Sequence, residues 1–181
     1  FPFLWVQLPN FKTRNHDPNA NSAWAHMRES MARTLSLPNT GMATTIDIGE
    51  AKDIHPKNKQ DAGARLANWA LAEFYGKSDV TATGPMYASH AVRGSTVIVR
   101  FKHAAGLQAK EARVVSGFAL AGADKKWHWA TATITGDGQV RVTCVKVKKP
   151  VAVRYGWGDN PDCNLINKAG LPTTPFRTDK W

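Results

Sequence analysis

The sequence predicts an α/β unit followed by a β-sandwich, with the change of architecture near residue 77. Up to residue 76, strand and helix patterns alternate, which indicates parallel strands joined by crossover helices. Beyond that point, short segments of alternating polar and apolar residues are typical of a sandwich. We therefore expect the C-terminal part of a parallel sheet over residues 1–76, and a β-sandwich domain with an ordered C-terminal loop over residues 77–181.

In the first part, the segment Phe3 to Leu8 is apolar almost throughout, as in a strand whose sheet is covered on both faces. A helix is predicted over Ser22 to Leu35, with Asn21 or Ser22 capping its first amides. Its apolar residues recur at three- and four-residue spacing. The face predicted to be buried carries Trp24, Met27, Met31 and Leu35.

The second strand is predicted over Met42 to Ile48, followed by a loop over Gly49 to Pro56. Pro56 suits the first turn of the next helix, and Gly76 suits its end. The predicted core residues of this helix are Ala62, Leu66, Trp69, Ala70 and Phe74.

The second part consists of short strands separated by turn residues. The sequence Gly136-Asp137-Gly138 predicts a hairpin turn, and the tail over residues 158–181 is expected to cross the surface as a loop. The predicted strands are centred on Val97 to Phe101, Phe118 to Ala121, Thr131 to Thr135, Val140 to Val147 and Val151 to Trp157.

The formal charge of +10 arises from 24 Lys and Arg against 14 Asp and Glu. A basic protein can bind nucleic acid or acidic glycans. Here the charges are scattered singly, and the densest group is Lys146, Lys148 and Lys149. We therefore expect a solvated surface or the basic half of a larger protein, and no nucleic-acid partner. No apolar run is long enough to cross a bilayer, so no membrane partner is expected.

The chain opens with Phe1 and not with Met, and its first residues, FPFLWVQLP, already resemble a buried strand. This predicts that upstream sequence has been removed or lies on another chain. Cys144 and Cys163 permit at most one internal disulfide. The five histidines outside the candidate site show no metal-ligand spacing, so neither a metal nor another cofactor is expected; they are His16, His26, His90, His103 and His128.

The strongest local motif is Asp53-Ile54-His55-Pro56, in the loop after the second predicted strand. Ligands of open α/β sheets bind beyond the carboxyl ends of the strands. A histidine there can act as a general base near neutral pH. Residues two apart in an extended loop project to the same side, so Asp53 could orient His55. The alternative is an exposed histidine beside a solvated carboxylate.

Long strings of the chain resemble the sialate O-acetylesterase family of SGNH-type hydrolases. They include TLSLPNTGMATTIDIGEAKDIHPKNKQDAGARLANWAL, GFALAGADKKWHWATATI and PVAVRYGWGDNPDCNLINKAGLPTTPFRTD, and also FPFLWVQLPNF and WAHMRES. The resemblance covers nearly the whole sequence. It implies the C-terminal part of an SGNH-type, flavodoxin-like parallel sheet followed by a β-sandwich. It also implies an enzyme that removes acetyl groups from sialic acid or other glycans in a secreted, periplasmic or lysosome-like compartment.

The resemblance makes His55 the catalytic histidine and Asp53 its acidic partner. The broader family pattern places an aspartate three residues before the histidine, where this chain has Lys52. The acid is therefore Asp53, another carboxylate such as Asp47 or Glu50, or the site is a Ser–His dyad.

The family's nucleophile motif, Gly-Asp/Glu-Ser, does not occur in this chain. Ser95 and Ser116 lie in the β region without that context. The serine is therefore expected on an N-terminal polypeptide of the same enzyme, and this chain alone is expected to be inactive. The alternatives are a non-catalytic carbohydrate-binding or scaffold fragment, and a module that binds polyanions.

Two further features are compatible with either a structural role or a role in substrate binding. Trp127 and Trp129 would share a face of a strand, where they fill a core or stack on a sugar ring. The loop over residues 156–164 either contacts substrate or docks the sandwich onto the hydrolase part.

Overall fold

A computed structural model describes residues 1–136 and 138–181, which form a mixed α/β structure richer in strands than in helices. The helices are α1 (Ala23–Arg33), continued by a 3₁₀ turn (Thr34–Ser36), and α2 (Lys59–Trp69), continued by a π-helical turn (Ala70–Phe74). The strands are β1 (Phe3–Val6), β2 (Thr40–Ala43), β3 (Met86–Arg93), β4 (Thr96–Lys102), β5 (Gln108–Ala109), β6 (Phe118–Ala121), β7 (Trp127–Trp129), β8 (Thr131–Gly136), β9 (Gln139–Thr143), β10 (Ala152–Tyr155), β11 (Leu165–Ile166) and β12 (Phe176–Arg177).

Strands β1 and β2 form a parallel pair in which Phe3 lies opposite Thr40. Helix α2 packs on this pair, and the indole of Trp69 donates a 2.8 Å hydrogen bond to the Met42 carbonyl. Strand β1 is apolar, but Phe3 and Val6 are 57% and 39% exposed. The described residues therefore do not cover both faces of β1 as predicted.

Two four-stranded antiparallel sheets make up most of the rest. Their strand orders are β3–β4–β9–β8 and β12–β10–β6–β7, and β5 pairs with β11 beside them. Apolar side chains from both large sheets enter one core, with Val97 and Val140 from the first and Leu120 and Tyr155 from the second. Strands β8 and β9 flank the predicted hairpin turn, of which Asp137 lies outside the described residues.

The C-terminal segment does not cross the surface as predicted. It contributes β11 and β12, and Leu165, Asn167 and Phe176 are buried. The Asn167 amide donates to the carbonyls of Thr83 and His103, at 3.0 and 3.1 Å. Polar side chains that satisfy buried backbone groups can replace sheet pairing, which is why a segment rich in Pro and Asn is held inside.

Helix α1 begins as predicted, with Ser22 accepting a hydrogen bond from the Ala25 amide at 3.0 Å. Its buried face differs from the prediction. Met27 is 54% exposed, whereas Arg28 is 1% exposed. The prediction was wrong at this face because it assigned an arginine to solvent, as is usual for that residue type.

Within the described residues, no helix has the length and apolar character that spanning a bilayer would require. Cys144 and Cys163 are both free thiols. Burial raises the pKa of the Cys163 thiol to about 12. This thiol is therefore protonated at neutral pH.

Candidate active site

The loop between β2 and α2 is held at its base by buried polar contacts. The Arg65 guanidinium donates to both carboxylate oxygens of Asp47, at 2.6 and 2.9 Å, and to the Thr44 carbonyl at 2.7 Å. The Gly49 amide donates to the Asn10 side chain at 2.7 Å. A Cβ at Gly49 would lie 2.0 Å from the Asn10 carbonyl oxygen, so this close approach requires glycine.

Farther along the same loop, the structure brings Asp53 and His55 together. One carboxylate oxygen of Asp53 accepts the His55 backbone N–H at 2.8 Å and lies 3.3 Å from its imidazole Nδ1. The His55 side chain is 81% exposed, and that of Asp53 is 48% exposed. The other ring nitrogen, Nε2, is therefore open to a group supplied from outside the described residues.

Asp53 is suited to hold a charged imidazole. The backbone N–H of His55 lowers the pKa of the Asp53 carboxyl, with smaller contributions from the imidazole and from Lys57. The carboxylate is consequently ionised at neutral pH. A negative charge beside Nδ1 fixes the proton on that nitrogen and leaves Nε2 as the base.

The two alternative acids have other partners. Asp47 is bound to Arg65 by two hydrogen bonds, and both side chains are nearly buried, at 12% and 10% exposed. Glu50 lies 3.3 Å from the ammonium of Lys57 at the surface. Among the described residues, neither carboxylate forms a hydrogen bond with His55.

We expect Asp47→Asn to lower the free energy of unfolding by about 3 kcal/mol, because it leaves the Arg65 charge without its partner in a nearly buried site. Glu50→Gln is the matched control, since it removes an exposed pair and should cost at most about 0.5 kcal/mol. Urea unfolding of the complete protein measures both. Equal effects would show that the Asp47–Arg65 pair is as solvated as the surface pair.

Among the described residues, no nucleophile or metal site accompanies this histidine. Ser95 lies in the turn between β3 and β4, and the Ser116 amide donates to Asn164. In residues 1–136 and 138–181, neither serine has a hydrogen bond to a histidine, and no group of three metal-binding side chains occurs. Within the described residues, the candidate site therefore consists of the Asp53–His55 pair alone.

Comparisons with known proteins bear on the family of the chain. No protein-family model matches the chain. Sialate O-acetylesterase from Mus musculus is 26% identical over 192 residues, covering 97% of this chain and 35% of the mouse protein. The crystal structure of a carbohydrate acetylesterase from Xanthomonas citri is 48% identical with a TM-score of 0.92, covering 99% of this chain and 41% of that one.

The chain belongs to a carbohydrate esterase family. It corresponds to the C-terminal portion of such enzymes, and the resemblance read from the sequence is confirmed. The chain spans well under half of the length of either relative, 35% and 41%.

A buried arginine missed by the sequence analysis holds together backbone segments from the two ends of the chain. Arg28 donates to the carbonyls of Leu8 and Pro9 at 2.8 and 2.6 Å, and to those of Gly158 and Asp159 at 2.6 and 2.9 Å. Burial lowers its pKa to about 10, so the guanidinium stays charged at neutral pH. It ties the segment after β1 to the loop after β10.

The loop over residues 156–164 docks onto the segment after β1. The Asn160 amide donates to the Lys12 carbonyl at 2.8 Å, and the Asn10 amide donates to Asn160 at 3.0 Å. Burial would raise the pKa of Asp159, but hydrogen bonds from Lys12 and Ser22 outweigh it and lower that pKa. A structural docking role for this loop is therefore observed. The sequence of this loop, GWGDNPDCN, is polar and rich in glycine and proline, which is typical of a tight, ordered loop.

Proposed function

We propose that this chain is the histidine-bearing part of a serine carbohydrate O-acetylesterase, whose nucleophilic serine lies on polypeptide outside this sequence. The observation that carries the proposal is the contact between Asp53 and His55, in which the carboxylate lies 3.3 Å from Nδ1 and leaves Nε2 exposed. The family assignment supports the acetyl ester as the bond that is cleaved.

In the proposed mechanism, the external serine oxygen attacks the acetyl carbonyl while His55 Nε2 takes the serine proton. Asp53 stabilises the resulting imidazolium. The tetrahedral intermediate expels the sugar oxygen, which receives that proton and leaves as a hydroxyl. Water then attacks the acetyl-serine, with Nε2 again taking a proton and returning it to the serine as acetate departs. Donors to the oxyanion come from the polypeptide that carries the serine.

The exposed edge and side chains of β1 are an argument that another polypeptide covers this strand. Strand β1 pairs with β2 on one side, and within the described residues its other edge has no neighbour. Phe3 and Val6 on this strand are exposed. An apolar strand with a free edge is a template for another strand. We infer that residues 1–76 complete an SGNH-type parallel sheet with the N-terminal polypeptide of the same enzyme, and that residues 77–181 form a β-sandwich domain.

The substrate class is inferred from the relatives. One is named for sialate and the other for carbohydrate in general. We propose an acetylated glycan, with O-acetyl sialic acid as the specific case, acted on in a secreted, periplasmic or lysosome-like compartment. The two polypeptides are either separate chains or parts of one precursor.

Acetate release by the complete enzyme tests the proposal. O-acetyl sialic acid, acetylated xylo-oligosaccharide and 4-nitrophenyl acetate are compared, and intact mass of the purified protein reports how many chains it holds. We expect acetate from at least one of the two glycans. Glycan binding without acetate from any of the three esters would contradict the esterase and favour a carbohydrate-binding fragment.

We expect Asp53→Asn to lower kcat about tenfold, because the amide removes the charge that stabilises imidazolium but the site is solvent-exposed, where charges interact weakly. The kinetic constants are measured on 4-nitrophenyl acetate, with Glu50→Gln as the control. A kcat unchanged by Asp53→Asn would identify a Ser–His dyad or a different acid.

A further inference from the structure

Trp129 presents an exposed indole at the surface of β7. The ring is held at one edge, where its N–H donates a 2.7 Å hydrogen bond to the His16 carbonyl, and the residue is 45% exposed. Its strand neighbour Trp127 is only 4% exposed and lies against the guanidinium of Arg154, 4.0 Å from the ring centroid. Of the two tryptophans, Trp127 therefore belongs to the packed interior, and Trp129 is available to a ligand.

Two cavities meet at Trp129. One has a volume of about 330 Å³ and includes Arg14, His16 and Ser116 in its lining. The other has a volume of about 260 Å³ and includes Trp157 and Asp159. Asn15 and Trp129 line both. Ligand sites combine a flat apolar wall with a few polar groups that fix orientation, and this pair of cavities has that composition.

The charges at the rim are already compensated. The Lys12 ammonium lies 2.8 Å from the Asp159 carboxylate, and the Arg14 guanidinium lies 3.7 Å from the Asp162 carboxylate. Such pairs attract a free ion weakly, but they offer donors and acceptors side by side. A hydroxyl both donates and accepts a hydrogen bond, so the rim suits a polyol better than an ion.

We propose that Trp129 is the stacking platform of a glycan subsite, on which one sugar ring lies with its C–H face against the indole and its hydroxyls towards the rim. An aromatic face carries partial negative charge and attracts the weakly positive hydrogens of such a ring. The inference rests on the proposed function, since it assigns this surface to the same acetylated glycan.

The platform is connected to the candidate active site by one segment. Residues 10–16 begin at Asn10, which accepts the Gly49 amide at the base of the His55 loop, and end at His16, which holds the Trp129 ring. Arg14, Asn15 and His16 of this segment line a cavity together with Trp129. A glycan on Trp129 therefore lies against the segment that also supports the loop carrying His55. The subsite contributes binding of the remote part of the substrate, and it takes no part in bond cleavage.

The test uses the complete esterase with Trp129→Ala, Trp129→Phe and Trp181→Ala. Trp181 is the matched control, because it is 43% exposed and lines neither cavity. Calorimetry measures binding of xylotetraose and of sialyllactose, neither of which carries an acetyl ester. Kinetics compare 4-nitrophenyl acetate with the acetylated forms of these oligosaccharides. Near-ultraviolet circular dichroism reports the fold of each variant.

We expect Trp129→Ala to weaken oligosaccharide binding and to raise KM for the acetylated oligosaccharide by about tenfold, with kcat/KM for 4-nitrophenyl acetate within about twofold of wild type. Trp129→Phe should fall between, and Trp181→Ala should match wild type. Equal binding by Trp129→Ala and wild type, or no binding by wild type, would overturn the subsite. Binding that depends on Trp129 without acetate release would retain the subsite and refute the esterase.

Discussion

Replacing His55 by alanine in the complete enzyme is expected to lower kcat for 4-nitrophenyl acetate by about 10⁴-fold, while KM stays within a few-fold of wild type. In the proposed mechanism Nε2 takes a proton in both halves of the reaction, and general acid–base catalysis by one side chain contributes up to about this factor. The His55 side chain is 81% exposed, so its removal should leave stability unchanged.

The matched control is His103→Asn. His103 is an exposed histidine in the β region, and its φ of 55° is one that asparagine tolerates. It should retain full activity. Thermal unfolding of both variants separates loss of catalysis from loss of fold. A His55→Ala enzyme that keeps more than a tenth of wild-type kcat would contradict the assignment of the base.

Replacing Arg28 by methionine is expected to lower the free energy of unfolding by about 4 kcal/mol. Removing one partner from a buried ionic and hydrogen-bonded group typically costs 3–5 kcal/mol. Here the guanidinium serves four backbone carbonyls, those of Leu8, Pro9, Gly158 and Asp159. Methionine fills similar space but donates no hydrogen bond, so buried carbonyls lose their donors.

Arg33→Met is the control for this variant, because Arg33 lies on the same helix with its side chain 72% exposed and paired with Glu29. Its loss should cost about 0.5 kcal/mol. Urea unfolding of the complete enzyme measures both. Equal shifts for the two variants would mean that water replaces the guanidinium at the four carbonyls.

The sequence predicted elements well where local pattern and packing agree. Strand β6 occupies Phe118–Ala121 as predicted, because an apolar run bounded by glycines on both sides has few other solutions. Strand β2 ends at Ala43, although a strand rich in Thr and Ile was predicted as far as Ile48. Beyond it, Thr45 and Asp47 bond to Gln7 and Arg65, and these long-range contacts leave no local signature.

In the candidate site, too, the features set by local sequence were predicted and those set by distant segments were not. The motif containing Asp53 and His55 is local, and the turn that joins them follows from their spacing. The burial of Arg28 and the course of residues 158–181 depend on segments about 130 residues apart. No periodicity within α1 reveals that its arginine faces carbonyls from a distant loop. Because arginine is rarely buried, a prediction from residue type alone assigns it to the solvent-exposed face.

The C-terminal segment has a consequence for how the chain comes apart. Arg177 binds Glu29 of α1 at 3.1 Å, and Arg154 of β10 binds Asp179 at 2.6 Å. The Arg154–Asp179 pair holds the C-terminal segment on β10. The Arg177–Glu29 pair and the Arg28 hydrogen bonds join α1 and the segment after β1 to the antiparallel part of the chain, at points far apart in sequence. We therefore expect the two parts to unfold as one cooperative unit. We also expect a backbone cut between α2 and β3 to leave two pieces that stay assembled through these contacts.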